Sequence, residues 1–316
     1  MNLGRKCSGW LVLFTVFLIS TLLSVLIGPG GFSLSGLDSI LYFRLPRLSI
    51  GILAGGVLAV VGGAFQGLMR NPLVDPWTLG VASGAALGVS MAVISGLQTS
   101  VMMPVTAFIG GALAIAIVYL LAGSGVELSV TRLVLAGVIV NFFFSSLVML
   151  VMVLGHHTLG EAIYLMMGHL GVVFTRRSAG LLIGSAVIAL AGCGWLIFHS
   201  RELDIISLNE EVAISLGVDA ERLMRRVFLV GSLAVGLVVA WSGAISFVGL
   251  VVPHLVRMFF GPKHSQVLPG SFVLGAGLLL LADVLVRGLS PAGLPLSVVT
   301  ALIGVPFFIY LLRKNR

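Results

Sequence analysis

The sequence predicts an all-α, polytopic membrane protein of about ten transmembrane helices. Three observations carry that prediction. Only 9% of the 316 residues are charged. The mean hydropathy is +1.18. Apolar runs of roughly 18 to 25 residues recur from end to end, the length that crosses about 30 Å of hydrocarbon. A soluble domain of this size needs several times more charge to cover its surface.

The first apolar run, 10–27, follows Arg5 and Lys6 and so imitates a signal peptide. It is too long for an h-region, and Gly28-Pro29-Gly30 does not resemble an A-x-A cleavage site, so a retained first helix is expected. Further runs lie at 48–69, 78–97, 102–122, 131–154, 179–199, 268–286 and 294–312. Between Arg226 and Arg257 lies a stretch, 227–256, with no charged residue. At ~1.5 Å per residue it covers about 45 Å, too long for one straight crossing and short for two full ones. Both flanks are basic, which favours an even number of crossings, so two tightly joined helices are expected. The 41 glycines, many at small-xxx-small spacing, suit membrane helices that pack backbone to backbone.

Orientation follows from Lys and Arg. With a cytoplasmic N-terminus and ten crossings, thirteen of the 18 cations fall inside. Arg44, Arg47, Arg176, Arg177 and Arg287 fall outside. Both termini are therefore expected in the cytoplasm of a multi-pass protein. The net charge of +7 then anchors the inner leaflet and its lipids. No basic run sits where it could present itself to nucleic acid.

The chain reads as one transmembrane domain, 1–316, without a linker. Its longest polar segment is Ser200 to Arg226. Ser207 and Glu210 have capping-box spacing, Gly217 suits a helix end, and Asp219 suits the cap of a second short helix through Ala220–Leu223. A helix–glycine–helix knob on the cytoplasmic face, about 203–225, is the local expectation. A faint repeat is also visible. Val60–Leu68 followed by Pro72 echoes Ala240–Leu250 followed by Pro253. The helices preceding the two copies run in opposite directions under this orientation, as in an inverted repeat.

The absent chemistry is informative. There is no G-x-x-x-x-G-K-[ST] loop, and the lysines are Lys6, Lys263 and Lys314. If ATP drives this protein, another polypeptide hydrolyses it. HExxH, GxSxG and paired His/Cys metal spacing are missing too, so neither a catalytic residue nor a metal site of its own is expected. Cys7 and Cys193 lie in different segments and imply no disulfide. Asp283 and Arg287 are four apart on one helix face and read as a structural ion pair. A proton-driven carrier is expected to place several carboxylates near mid-membrane, which disfavours an ion-coupled secondary carrier, the alternative from another class. His156 and His157, with His169 beyond, fall in an outer loop and read as solvated surface rather than ligands. Met149, Met152, Met166 and Met167 read as packing residues.

Several segments together carry a resemblance. They are Arg44-Leu45-Pro46-Arg47, Gly63–Leu73 with Pro76 and Leu79-Gly80, Leu216-Gly217-Val218, Ser242–Arg257, Ala282-Asp283 with Arg287, Leu294-Pro295 and Gly304-Val305-Pro306-Phe307. This set resembles the FecCD-type permease family of ABC importers, which includes cobalamin, haem and ferric-siderophore permeases. The resemblance runs from about 44 to 312. RNPL-x-x-P and FVGL-x-x-PH-x-x-R are its specific parts. It implies a cobalamin-permease-like fold in the cytoplasmic (inner) membrane of a prokaryote. It also implies a second permease subunit, in a homodimer or a close heterodimer, two ATP-binding subunits and a periplasmic or lipid-anchored substrate-binding protein. No cofactor is then bound by this chain, and ATP and Mg sit on the partner ATPase. The cargo implied is an iron chelate, ferric siderophore first, with haem or cobalamin as the alternatives.

Carried across residue by residue, the resemblance assigns ATPase coupling to Ser207, Glu210, Glu211, Leu216, Gly217, Val218, Glu221 and Arg222. It assigns binding-protein docking to Arg44, Arg47 and Arg287. A path for a bulky chelate is expected to be lined by small, weakly polar residues, which suits Gly62, Gly63 and Gln66. The family's Glu-Leu-Pro-x-Gly is replaced here by Gly293-Leu294-Pro295-Leu296-Ser297, which loosens the expectation for the last outer loop.

Overall fold

A computed structural model describes residues 3–28, 31–32, 43–123, 130–155, 167–171, 175–289 and 294–314. Helix α1 (Leu3–Leu26) leads into a small hairpin in which Ile27–Gly28 pairs with Gly31–Phe32. Then come α2 (Leu45–Leu68), a 3-10 turn (Pro76–Leu79), α3 (Val81–Ile94), α4 (Met102–Gly123) and α5 (Val130–Leu154). The second half holds α6 (Arg176–Phe198), α7 (Ser200–Leu208), α8 (Glu210–Ser215), α9 (Ala220–Ser242), α10 (Val248–Phe260), α11 (His264–Leu289) and α12 (Leu296–Lys314). Among the described residues, seven helices are long and apolar enough to cross a membrane, and three shorter apolar ones accompany them. The expected ten-helix, all-α architecture is what the chain adopts.

Helix α2 is the axis of the bundle. From Ile50 to Leu68 nearly every residue is buried. Helices α11, α9, α10 and α6 pack around it. Glycine makes this possible, because lipid supplies no hydrophobic drive and close backbone approach must do the work. A Cβ on Gly55 would overlap the Gly275 carbonyl of α11, and one on Gly62 would overlap the Gly249 carbonyl of α10. Around this core, α1, α4, α5 and α6 bury only a quarter or so of their apolar windows. Their outward side chains, such as Leu11 and Phe142, face the lipid position.

The charge-free stretch folds as its length requires. Helix α9 ends at Ser242, residues 243–247 break the helix, and α10 starts at Val248. Gly243 (φ 66°) and Phe247 (φ 68°) both adopt the left-handed region at this break. The expected run 78–97 is shorter in the structure. Asp75 caps the 3-10 turn, and Gly80 at φ 82° separates that turn from α3. A long helix, a break and a short apolar helix thus occur twice, as α2–α3 and α9–α10. The two segments that echo each other in sequence meet at Gly62 and Gly249. Helix α12 is held at its start by Ser297, whose hydroxyl donates to Ala244 O at 2.7 Å, and in its middle by Phe247 against Gly304. Leu302 and Ile309 of the same helix face outward.

Candidate functional site

The polar knob is two short helices and the first turn of a third. Helix α7 carries Leu203 and Ile206 inward, and α8 carries Ala213 inward, so the knob sits on an apolar footing. Between them Asn209 is extended, and its Oδ1 accepts the Glu211 N–H at 3.2 Å. The expected capping box on Ser207 therefore does not form. Ser207 still lies within α7 and its hydroxyl donates to Asp204 O at 2.7 Å. A cap must stand immediately before the helix, and Asn209 holds that place. Helix α8 ends in a Schellman motif on Gly217 (φ 79°). Gly217 N–H donates to Ile214 O at 3.0 Å and Val218 N–H to Ala213 O at 2.9 Å. Asp219 caps the next helix as expected, accepting the Arg222 N–H at 3.0 Å. That helix is not short, because Ala220–Leu223 is the first turn of α9.

Of the residues assigned to coupling, Glu211, Leu216, Gly217, Glu221 and Arg222 are exposed, while Ser207 and Val218 are half-buried. The side chain of Glu210 lies outside the described residues. Leu208 (75% exposed) and Ile214 (64%), which the motif reading did not name, join Leu216 on the outer surface of the knob.

At the opposite ends of α2 and α11 lies an ionic clamp. Asp283 is fully buried. Arg287 pairs with it at 3.0 Å across the expected four-residue spacing. Arg47 of α2 also binds it, from Nη2 at 2.7 Å and from Nε at 3.0 Å to both oxygens. Arg287 further donates to Ser24 Oγ at 3.1 Å and to backbone carbonyls at the end of α1. Arg44 donates to Val25 O in the same turn. The three arginines expected to meet a binding protein thus converge inside the subunit and lash α1, α2 and α11 together. Arg44 and Arg287 are each 8% exposed, which leaves Arg47 with the more accessible side chain. Charge reversal at any of them tests the fold before it tests docking.

Gly62, Gly63 and Gln66 also lie in the interior. A Cβ on Gly63 would press on Leu268 and Pro253. Gln66 Nε2 donates to Val74 O, Gly249 O and Leu250 O at 3.1 to 3.4 Å. Its Oε1 accepts from Arg257 Nη1, and Arg257 Nη2 reaches Gly63 O at 3.4 Å. Close packing and cross-bracing account for all three residues, and they present no lining face at the outside of the subunit. Nearby, Asp75 accepts the N–H of Trp77 at 3.3 Å and of Phe247 at 3.1 Å. One carboxylate therefore serves the starts of the 3-10 turn and of α10, where the helix dipole favours negative charge. Asp75 and Leu58 both flank Gly249, which places this junction level with the middle of α2.

His156, His157 and Met166 lie outside the described residues. His169 is half-buried beside Arg47, and its backbone N–H donates to Ser242 O at 2.8 Å. Burial, aided by the Arg47 charge, lowers its pKa to about 4, so the ring stays neutral at physiological pH. It lines a cavity of about 230 Å³ with Gln98, Ser100 and Trp241. Met152 is buried, as a packing residue should be, and Met149 points outward.

The comparisons with known proteins agree with this architecture. The model of the FecCD transport family matches residues 9–314. The hemin transport system permease protein of Yersinia pestis is 37% identical over 283 residues, 87% of this chain and 83% of its own. The Fe(3+)-citrate import system permease protein of Bacillus subtilis is 34% identical over 331 residues, 99% of this chain and 97% of its own. Among solved structures, one assigned to the metal-chelate type of ABC transporter, in an inward-facing conformation, superposes with a TM-score of 0.84. It is 31% identical, and the match covers 96% of this chain and 98% of the other. A ten-helix apolar bundle, motifs that interlock at its centre and a match over nearly the whole length together show that this chain belongs to the FecCD transport family.

Proposed function

We propose that the protein is the membrane permease of an ATP-driven importer that carries an iron chelate, ferric siderophore first, across the cytoplasmic membrane. The observation that carries the reading is the knob of α7 and α8. It is a capped element that exposes Leu208, Val212, Ile214 and Leu216 beside the exposed Glu211, Glu221 and Arg222. A permease without its own phosphate-binding loop needs such an element to receive motion from an ATPase. The relatives named for hemin and Fe(3+)-citrate support a metal-chelate cargo. In this reading two copies of the chain form the pore between them, two ATP-binding subunits grip the knobs, and a substrate-binding protein delivers cargo from outside. Both termini are cytoplasmic, in keeping with the thirteen-to-five distribution of Lys and Arg. ATP and Mg belong to the partner subunits.

The test is reconstitution of the chain with its cognate ATPase and binding protein in liposomes. Uptake of a ferric siderophore requires hydrolysable ATP and survives ionophores; uptake that continues without ATP and collapses with an ion gradient overturns the reading in favour of a secondary carrier. Hemin and cobalamin, offered to the same binding protein, are the competing cargoes. Within the assembled system, Gly217→Pro destroys the Schellman turn, because proline cannot reach φ 79°. Uptake per ATP hydrolysed is expected to fall about tenfold while the subunit still inserts and assembles. Unchanged uptake in Gly217→Pro removes the knob from the mechanism.

A further inference from the structure

The knob also has a polar joint to the bundle that the mechanism so far leaves unused. His264 is the first residue of α11, and Asp204 lies in the middle of α7. One oxygen of Asp204 accepts both the His264 backbone N–H at 2.8 Å and the ring Nδ1–H at 2.7 Å. Burial alone would raise the Asp204 pKa. The hydrogen bonds from His264, together with the His264 and Lys263 charges, outweigh it and hold the carboxyl below its usual value. Asp204 is thus an N-cap supplied from 60 residues away rather than from the preceding turn. The His264 side chain is almost completely buried, and its Nε2 has no hydrogen-bond partner among the described residues. A Cβ on Gly67 would overlap that ring, so the imidazole fills the place where a side chain of α2 would be. Burying an imidazole with one nitrogen unsatisfied is costly, and a residue chosen only for packing would not carry that cost.

The helix that starts at this joint packs on α2 through Gly55 and Gly275. Near its far end it carries Asp283, which Arg47 of α2 grips. Helix α11 is therefore tied at one end to the knob and at the other to the far end of the axial helix. We propose that Asp204 and His264 form the joint through which displacement of α7 and α8 is passed to α11 and α2, making them positioning residues for transport. The proposal rests on the knob being the ATPase contact. Without the joint, α7 would keep the apolar footing of Leu203 and Ile206 but lose its polar tie to the start of α11.

The experiment uses the full complex of permease, ATPase and binding protein in liposomes, with uptake and ATP hydrolysis measured together. Asp204→Ala removes the cap and the ring partner. Asp204→Asn keeps an oxygen for the His264 N–H and removes the charge. The expected result is a graded loss of uptake per ATP, on the order of tenfold for Ala and less for Asn, with ATP hydrolysis and assembled complex at wild-type levels. A merely structural role would lower assembly, hydrolysis and uptake in proportion, and that outcome overturns the proposal. Should Asp204→Ala fail to assemble, the Asn variant alone decides, with an unchanged uptake-to-ATP ratio counting against the joint. Gly217→Pro, measured alongside, separates the two readings. If it uncouples and Asp204→Ala does not, the knob stands and the joint is wrong. If neither uncouples, the knob reading has failed and the joint falls with it.

Discussion

Replacing Asp283 with alanine is expected to produce a subunit that reaches the membrane but loses its folded core on extraction. The carboxylate is the shared partner of Arg47 and Arg287, and it is wholly buried. Removing one member of a buried ionic group costs about 3 to 5 kcal/mol, because the charges left behind have neither water nor a counter-ion. Two guanidinium groups would be left, and Arg287 would retain hydroxyl and backbone carbonyl oxygens but no carboxylate. That loss is a large share of the roughly 5 to 15 kcal/mol by which domains are stable. The measurement is the thermal midpoint and monodisperse fraction in mild detergent. Asp283→Glu, which keeps the charge but adds a methylene, should fall between alanine and wild type. A wild-type midpoint for Asp283→Ala would show that the clamp contributes nothing.

The second large effect is expected from Gln66→Leu. The substitution is close in volume, so it isolates polarity. It removes the donor shared by Val74, Gly249 and Leu250 and the oxygen that receives Arg257. Unsatisfied buried groups cost about 1 to 3 kcal/mol each, more for a charge. The crossing of α2 and α10 should loosen, and initial uptake rates should drop at least about tenfold. Gly62→Ala should act in the same way, since its new methyl lies one turn away on the same face and overlaps the Gly249 backbone. Gln66→Leu with normal uptake would separate this network from transport altogether.

The parts of the molecule legible in the sequence are those decided by local length or local chemistry. The break at 243–247 followed from a charge-free stretch of awkward length, the Asp283–Arg287 pair from helical spacing, and the turn at Gly217 from glycine before a new cap. What stayed hidden depends on partners far apart in the chain. Arg47 meets Asp283 across 236 positions, and Asp75 meets Phe247 across 172. Neither pairing has a periodicity to betray it. Asp75 does carry a signal, a single carboxylate set between Pro72 and Pro76, but nothing in that spacing points to Phe247 as its partner. Gly62, Gly63 and Gln66 pose the opposite difficulty. Small and weakly polar residues suit a pore wall and a tight helix crossing equally well, and only the packing tells the two apart.

The short helices have a consequence for how the protein feels its bilayer. Helices of 13 and 14 residues reach about 20 Å, well short of the hydrocarbon thickness. Their starting turns, Val81–Ala86 and Val248–Pro253, are enclosed by protein, and the Asp75 carboxylate meets N–H groups there that lipid could not satisfy. The central machinery is thereby insulated from hydrophobic mismatch. A thicker or thinner membrane acts instead on the rim, where α1, α4, α5 and α6 run 22 to 25 residues with most of their surface outward. Such helices answer a change in thickness by tilting, at a fraction of a kcal/mol per ångström. Changes in acyl-chain length would therefore register as rim tilt, with the junction around Asp75 keeping its geometry.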